Sequence, residues 1–215
     1  MEYNDGLESE VQKTAIVTSS GIRYSPFFPR IEDIKIKDIA RSLSFQCRYA
    51  GHVRRFYSVA EHSIYVSHLV PKKFALEGLL HDACEAYCQD LAAPVKKFLK
   101  DYSDLEQRND MAIRVRFGLP PSVSHEVHVA DQLLGQYERT TLTEHHNDDE
   151  YRFKDAMVKL SQYAREYRGG ESVHIPNLWS EETLERLSNV EDTFLERFFQ
   201  LTANIRMEAW NEQSI

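Results

Sequence analysis

The sequence predicts an all-α fold, a helical bundle preceded by a small N-terminal β-hairpin. Three observations carry that prediction. From residue 36 onward apolar residues recur at helical spacing rather than alternating. A short β-branched run flanks a Ser-Ser-Gly turn near the N-terminus. Prolines and glycines fall at the ends of the periodic segments, where helices start and stop.

Taken in order, residues 1–12 are acidic and weakly patterned and read as a mobile N-terminus. TAIVT-SSG-IRYS (14–25) is the hairpin, and PFFPRIEDI, with two prolines, is an extended connector. IKDIARSLSFQCR (36–48) places Ile36, Ile39, Ala40 and Leu43 on one helix face. VAEHSIYVSHLV (59–70) is a helix stopped by Pro71, which opens the next one, PKKFALEGLLHDACEAYC (71–88). Ser103 and Glu106 form a capping-box pattern for SDLEQRNDMAIRVRF, which Gly118 closes. After Pro120 and Pro121, SVSHEVHVADQLLGQYERTTL (122–142) resumes helical spacing, and EHHNDDE (144–150) is a loop. Two further helices follow, YRFKDAMVKLSQYAREY (151–167) and SEETLERLSNVEDTFLERFFQLTANIRM (180–207). No repeat and no long linker divides the chain, so residues 13–215 read as one domain.

A chain of 215 residues can bury a substantial core without disulfides or a structural metal. Its formal charge of −8, with no long basic run, disfavours a nucleic-acid reader, because duplex binding needs Lys and Arg against the phosphates. A small phosphate substrate needs only a few local cations and stays compatible. No apolar run approaches the roughly 18–20 residues of a membrane span, and MEYNDGLESE has no signal-peptide character. Cys47, Cys84 and Cys88 are too few for a disulfide framework, so the expected location is the cytoplasm, with no membrane partner. The sequence leaves open whether the chain forms a homo-oligomer.

The chemistry-bearing residues sit in three separated pieces, SVAEHS (58–63), LLHDACEAYCQDLAAPVKK (79–97) and VADQLL (129–134). His81 and Asp82 are adjacent inside an apolar helix, and an unpaired buried charge is expensive. A metal shared with His62 and Asp131 would compensate both at once. Imidazole with carboxylate suits a divalent transition ion such as Co²⁺, Mn²⁺, Fe²⁺ or Zn²⁺. Each piece alone also has a plainer explanation. One histidine on an apolar face is more often a hydrogen-bonded core residue, and a His-Asp dipeptide occurs by chance in many proteins.

The order H…HD…D resembles the HD superfamily of metal-dependent phosphohydrolases. Within it the chain is most similar to bacterial and phage 5′-deoxynucleotidases (the YfbR type) and to phage deoxynucleoside triphosphate triphosphohydrolases. RYAGHVRRFYSVAEHS resembles the family's Arg-Trp segment and the Val-x-Glu-His-Ser helix start that follows it. HDACEAYCQDLAAPVK resembles His-Asp-x-x-Glu, then Gly-Asp-Leu, then Pro-x-Lys, and VADQLL resembles the closing Lys-x-Ala-Asp. The likeness covers roughly residues 45–140. It departs at Tyr49, which stands where the family carries Trp, with a spacing to His62 one residue shorter.

The resemblance implies an HD-domain helical bundle with His62, His81, Asp82 and Asp131 as metal ligands and Glu85 as the catalytic residue. Glu85 follows His81 by four positions and Asp82 by three, on one helix face. It also implies substrate contacts from Arg48, Tyr49, Asp90 and Lys96, and a nucleotide as the small-molecule partner. A guanidinium suits phosphate through paired hydrogen bonds, and an aromatic face can stack on a base or sugar. Asp90 could equally be a helix-end residue and Lys96 a solvated surface lysine. His52, Arg54 and Arg55 are further candidates for the phosphate entrance. His125, His128, His145 and His146 read as surface residues, and Cys84 and Cys88 as core. The activity expected is hydrolysis of deoxynucleoside 5′-monophosphates. The alternatives are triphosphate release from deoxynucleoside triphosphates, a catalytically silent nucleotide-binding protein, and a purely structural helical protein.

Overall fold

A computed structural model describes residues 10, 13–143, 149–167 and 189–212, without the side chains of 149–153 and 204–212. The fold is helical with one two-stranded hairpin, as the periodicity predicts. Strands β1 (Ile16–Val17) and β2 (Arg23–Tyr24) pair antiparallel with Ile16 opposite Tyr24. Gly21, at φ 81°, takes the left-handed turn position that a side chain would disfavour. The connector PFFPRIEDI is extended only in part, because Ile31–Asp33 winds into a 3₁₀ turn.

Among the described residues the helices are α1 (Ile36–Phe45), α2 (Val59–Leu69), α3 (Ala75–Leu80), α4 (Glu85–Cys88), α5 (Ala93–Lys96), α6 (Lys100–Phe117), α7 (His125–Leu142), α8 (Asp149–Tyr167) and α9 (Val190–Glu212). Helix α2 is the axle. All its residues but His68 are buried, and its two sides serve two different cores. Val59, Ala60 and Ile64 join residues of α1, α3, α4, α6 and α9, while Tyr65, Val66 and Leu69 join residues of α7 and α8. Ser58 caps α2, its hydroxyl accepting from the Glu61 N–H at 3.0 Å. Helix α3 lies close against α2 because Gly78 lacks a side chain. A Cβ there would meet Val70 Cγ2 at 3.1 Å and the Ser67 Cα at 3.2 Å.

The structure corrects three sequence expectations. The segment 71–88 is not one helix. Pro71 is followed by a 3₁₀ turn, and α3 and α4 are separated by His81–Cys84. Across that break the bonds shorten to i→i−3, from Ala83 to Leu80, Glu85 to Asp82 and Ala86 to Ala83. The Ser103–Glu106 capping box does not form, since α6 begins at Lys100, one turn earlier. Ser103 instead donates to Leu99 O inside the helix, and Glu106 is drawn off by Lys96 at 2.7 Å. Helix α8 begins at Asp149, inside the expected loop 144–150, whose residues 144–148 lie outside the described residues. Gly118 closes α6 at φ 68°, as expected. The expected mobile N-terminus and the stretch 180–188 also lie outside the described residues, apart from Glu10. Among the described residues no helix is long and apolar enough to cross a membrane.

Candidate metal centre and its cleft

Four donor atoms from three parts of the chain meet at the junction of α2, the α3–α4 break and α7. His62 Nε2 lies 3.0 Å from Asp131 Oδ1 and 3.9 Å from Asp82 Oδ2. His81 Nε2 lies 3.2 Å from Asp82 Oδ2 and 3.7 Å from Asp131 Oδ1. Ligands about 2.1 Å from an ion at tetrahedral angles stand about 3.4 Å apart, and these separations bracket that value. His62, His81 and Asp131 form a group whose donor atoms lie within 4.8 Å of one another, and that group could hold a metal ion. Asp82 joins through the same oxygen that Arg48 Nη1 approaches at 3.3 Å.

Both imidazoles are oriented from behind, leaving Nε2 to face the cluster. His81 Nδ1 lies 2.8 Å from Gly78 O, one turn back in α3. His62 Nδ1 lies 2.6 Å from Glu138 Oε1. A backing acceptor of this kind fixes the tautomer and ring angle that a metal-binding histidine needs. Burial works to lower the pKa of both rings, but the surrounding carboxylates outweigh it and hold both above the ordinary histidine value. In return the imidazoles hold Asp82 at about 2 and Asp131 well below its usual range, against the burial that would raise them. The carboxylates and imidazoles of the cluster thus stabilise one another's charged forms.

Glu138 is the residue that sequence reading missed. It is 0% exposed and lies two helical turns after Asp131, on the same face of α7. It accepts from Tyr57 at 2.6 Å and Tyr49 at 3.0 Å, and Arg48 Nε stands 3.4 Å away. The seven-residue spacing to Asp131 was the available signal, but nothing in the local sequence marked it as buried.

Arg48 and Tyr49 belong to a short turn held against the start of α2 by Arg48 N–H to Tyr57 O and Val59 N–H to Gln46 O. Tyr49, Ala50 and Gly51 have φ values of 58°, 51° and 79°, three consecutive left-handed residues. Each non-glycine residue there costs roughly 1–2 kcal/mol, so the surroundings must impose the turn. The Tyr49 hydroxyl, bonded to Gly135 O and Glu138, supplies one such restraint.

Asp82 and Asp131 of the cluster line a cleft of about 1470 Å³, together with Arg48, Tyr49, Glu85, Asp90 and Lys96, among others. The structure therefore brings Arg48, Tyr49, Asp90 and Lys96 onto one surface with Asp82, Glu85 and Asp131, while His62 and His81 are not part of that lining. Glu85 is 6% exposed, and Oε2 has no hydrogen-bond partner. Burial first, then Asp82 and Asp90, push its carboxyl well above the usual range, against Arg48 and Lys96. Lys96 Nζ is 4.0 Å from Glu85 but only 2.7 Å from Glu106, its main partner. Asp90 is fixed by its backbone N–H to Gln46 Oε1, and its carboxyl is raised chiefly by burial. His52 and Arg54 line the cleft, whereas Arg55 is committed to Glu61 by contacts of 2.6 and 3.0 Å. Of the buried side-chain atoms lacking a hydrogen-bond partner, Arg48 Nε, His81 Nε2 and Glu85 Oε2 belong to this one site. Arg48 Nε and His81 Nε2 still stand in ion-pair contact with Glu138 and Asp82, which leaves Glu85 Oε2 as the oxygen of this site without a partner. Cys84 and Cys88 are free and buried, and burial pushes the Cys88 thiol up to about 12. That makes it a poor nucleophile. His125 and His128 are exposed, while His145 and His146 lie outside the described residues.

No family model matches the chain. It is 52% identical over 111 residues to the uncharacterized protein YfdR of Escherichia coli K12, covering 52% of this chain and 62% of that protein. It is 40% identical over 111 residues to an uncharacterized protein of Rhodobacter capsulatus, covering 47% of this chain and 57% of that one. The chain thus spans less than two thirds of either relative, and neither relative's description states an activity.

Proposed function

We propose that the chain is a metal-dependent phosphohydrolase that converts deoxynucleoside 5′-monophosphates to deoxynucleoside and inorganic phosphate. The observation that carries this reading is the convergence of His62, His81, Asp82 and Asp131 beside a cleft that also presents Glu85. The donor set fits Co²⁺, Mn²⁺, Fe²⁺ or Zn²⁺. When bound, such an ion lowers the pKa of water and offsets phosphate charge. Arg48 then holds the phosphate beside Asp82, and the Tyr49 ring, fixed through its hydroxyl, packs on the sugar or base. Glu85 Oε2 takes the proton of the attacking water and returns it to the 5′-oxygen as the P–O bond breaks. Asp90 contacts the sugar side, and Lys96 adds positive charge across the cleft. Arg48→Lys loses most of the rate, because a point charge cannot replace the planar fork.

A second reading, release of triphosphate from deoxynucleoside triphosphates, is favoured by the size of the cleft and by Arg54, Lys97 and Arg139 on its walls. The test is a product screen of nucleoside mono- and triphosphates with Co²⁺, Mn²⁺, Mg²⁺ and Zn²⁺. Inorganic phosphate from monophosphates is the expected result. Intact triphosphate, with monophosphates untouched, would select the second reading and leave the metal assignment in place. No turnover under any ion, with nucleotide still bound, would identify a catalytically silent binding protein.

A further inference from the structure

We propose that Glu138 is a positioning residue serving both halves of the site, orienting the metal-holding His62 with one carboxylate oxygen and the phosphate-holding Arg48–Tyr49 turn with the other. The inference rests on the reading of His62 as a metal donor. It follows from how the partners divide. Oε1 takes His62 Nδ1 at 2.6 Å and the Tyr57 hydroxyl at 2.6 Å. Oε2 takes the Tyr49 hydroxyl at 3.0 Å and faces Arg48 Nε at 3.4 Å.

Three features separate this role from simple packing. A fully buried carboxylate is costly, and an apolar side chain of similar size would fill the space more cheaply unless the charge were needed. Its acceptor-only chemistry matches its surroundings, since the two phenols, the imidazole and the guanidinium can all donate to it. The turn it restrains is strained, with two non-glycine residues left-handed in succession, and a restraint is what such a backbone requires. Glu138 touches neither cleft nor substrate position, so it acts through His62, Tyr49 and Arg48.

The decisive variant is Glu138→Gln, which keeps shape but turns one acceptor into an amide donor. If the carbonyl oxygen stays on His62, the amide faces the phenol and guanidinium of the turn; if it flips, His62 loses its acceptor. Co²⁺ binding is measured by calorimetry and by the visible absorption of the bound ion, with inorganic phosphate as the probe of the turn. The expected result is a protein that unfolds cooperatively, with Co²⁺ affinity reduced about 10–100-fold and an altered Co²⁺ spectrum. At saturating Co²⁺, phosphate binding is weakened as well. Wild-type Co²⁺ affinity and spectrum together with wild-type phosphate binding in the folded variant would overturn the inference alone. If the variant fails to fold, the wild-type protein decides, through ¹⁵N resonances of His62 with Zn²⁺ bound. A proton on Nδ1 supports the role of Glu138, and a proton on Nε2 overturns it. Wild-type protein that binds no divalent ion would overturn the functional reading itself and this inference with it.

Discussion

Asp38 and Glu85 are both buried carboxylates, 3% and 6% exposed, and their surroundings shift them in opposite directions. Asp38, in the first turn of α1, receives Ser19 Oγ at 2.6 Å, Ser20 N–H at 2.7 Å and Ser20 Oγ at 2.7 Å, which locks the hairpin turn onto the helix. Burial would raise its pKa, but those hydrogen bonds outweigh burial and hold it below the usual value. Glu85 keeps one oxygen without a partner, and its pKa is driven the other way. At similar exposure, three hydrogen bonds hold the Asp38 carboxyl down, while burial and the neighbouring Asp82 and Asp90 carboxylates push that of Glu85 up.

The sharpest break of that contrast is functional. Glu85→Gln should lower turnover on the order of 10²–10⁴-fold while retaining metal, since it removes proton transfer and no metal donor. Asp82→Ala should lose metal and activity together. Equal metal depletion in both variants, read by elemental analysis, would show that ligand and catalyst have been confused. The same Glu85→Gln change should raise the melting temperature of the metal-free protein at pH 7. A carboxyl whose folded pKa is raised contributes stability only at low pH and loses it as pH climbs through that pKa. A lower melting temperature would mean that Glu85 is a structural residue.

Asp38→Ala should cost about 1–3 kcal/mol by leaving the hairpin donors without their acceptor, with turnover per folded molecule unchanged. The pH dependence has the opposite sign to that of Glu85. With an unfolded pKa near 3.9 and a folded one below it, the contribution is complete above about pH 4. It fades as pH falls through the folded value. Acid titration of unfolding free energy should therefore lose part of its slope in Asp38→Asn, and an identical acid limb would contradict the assignment.

The smallest effect concerns Gln89, at φ 76° and ψ 151°, a conformation open almost exclusively to glycine. Gln89→Gly should stabilise the protein by about 1 kcal/mol, measured by denaturant midpoint. The resemblance sets Gln89-Asp90-Leu91 beside Gly-Asp-Leu, and the positive φ of Gln89 is a physical reason that glycine suits this position.

The helical class and most helix boundaries were legible because α1, α2 and α7 carry apolar residues at the spacing their packing uses. The hairpin was legible from Thr18–Gly21, where glycine and serines permit a turn. The His81–Cys84 break was not, because apolar periodicity runs through it undisturbed and the tightening depends on how α3 and α4 pack. His62, His81, Asp82 and Asp131 were picked out by the order of their motifs and the resemblance it carries, but their meeting depends on α7 packing beside α2. Glu138 was invisible for that reason: an acidic residue late in a helix reads as solvent-facing until its neighbours are known.

His62 and Asp131 lie 69 positions apart and meet at 3.0 Å. Closing a loop of that length costs about 4 kcal/mol of chain entropy, which the packing of α7 against α2 and its neighbours offsets. A nascent chain that has emerged only as far as α6 therefore carries His62, His81 and Asp82 but neither Asp131 nor the Glu138 carboxylate behind the His62 ring. Uptake of a probe ion would then serve as a clock for refolding, silent through the early helical phases and rising with the arrival of α7.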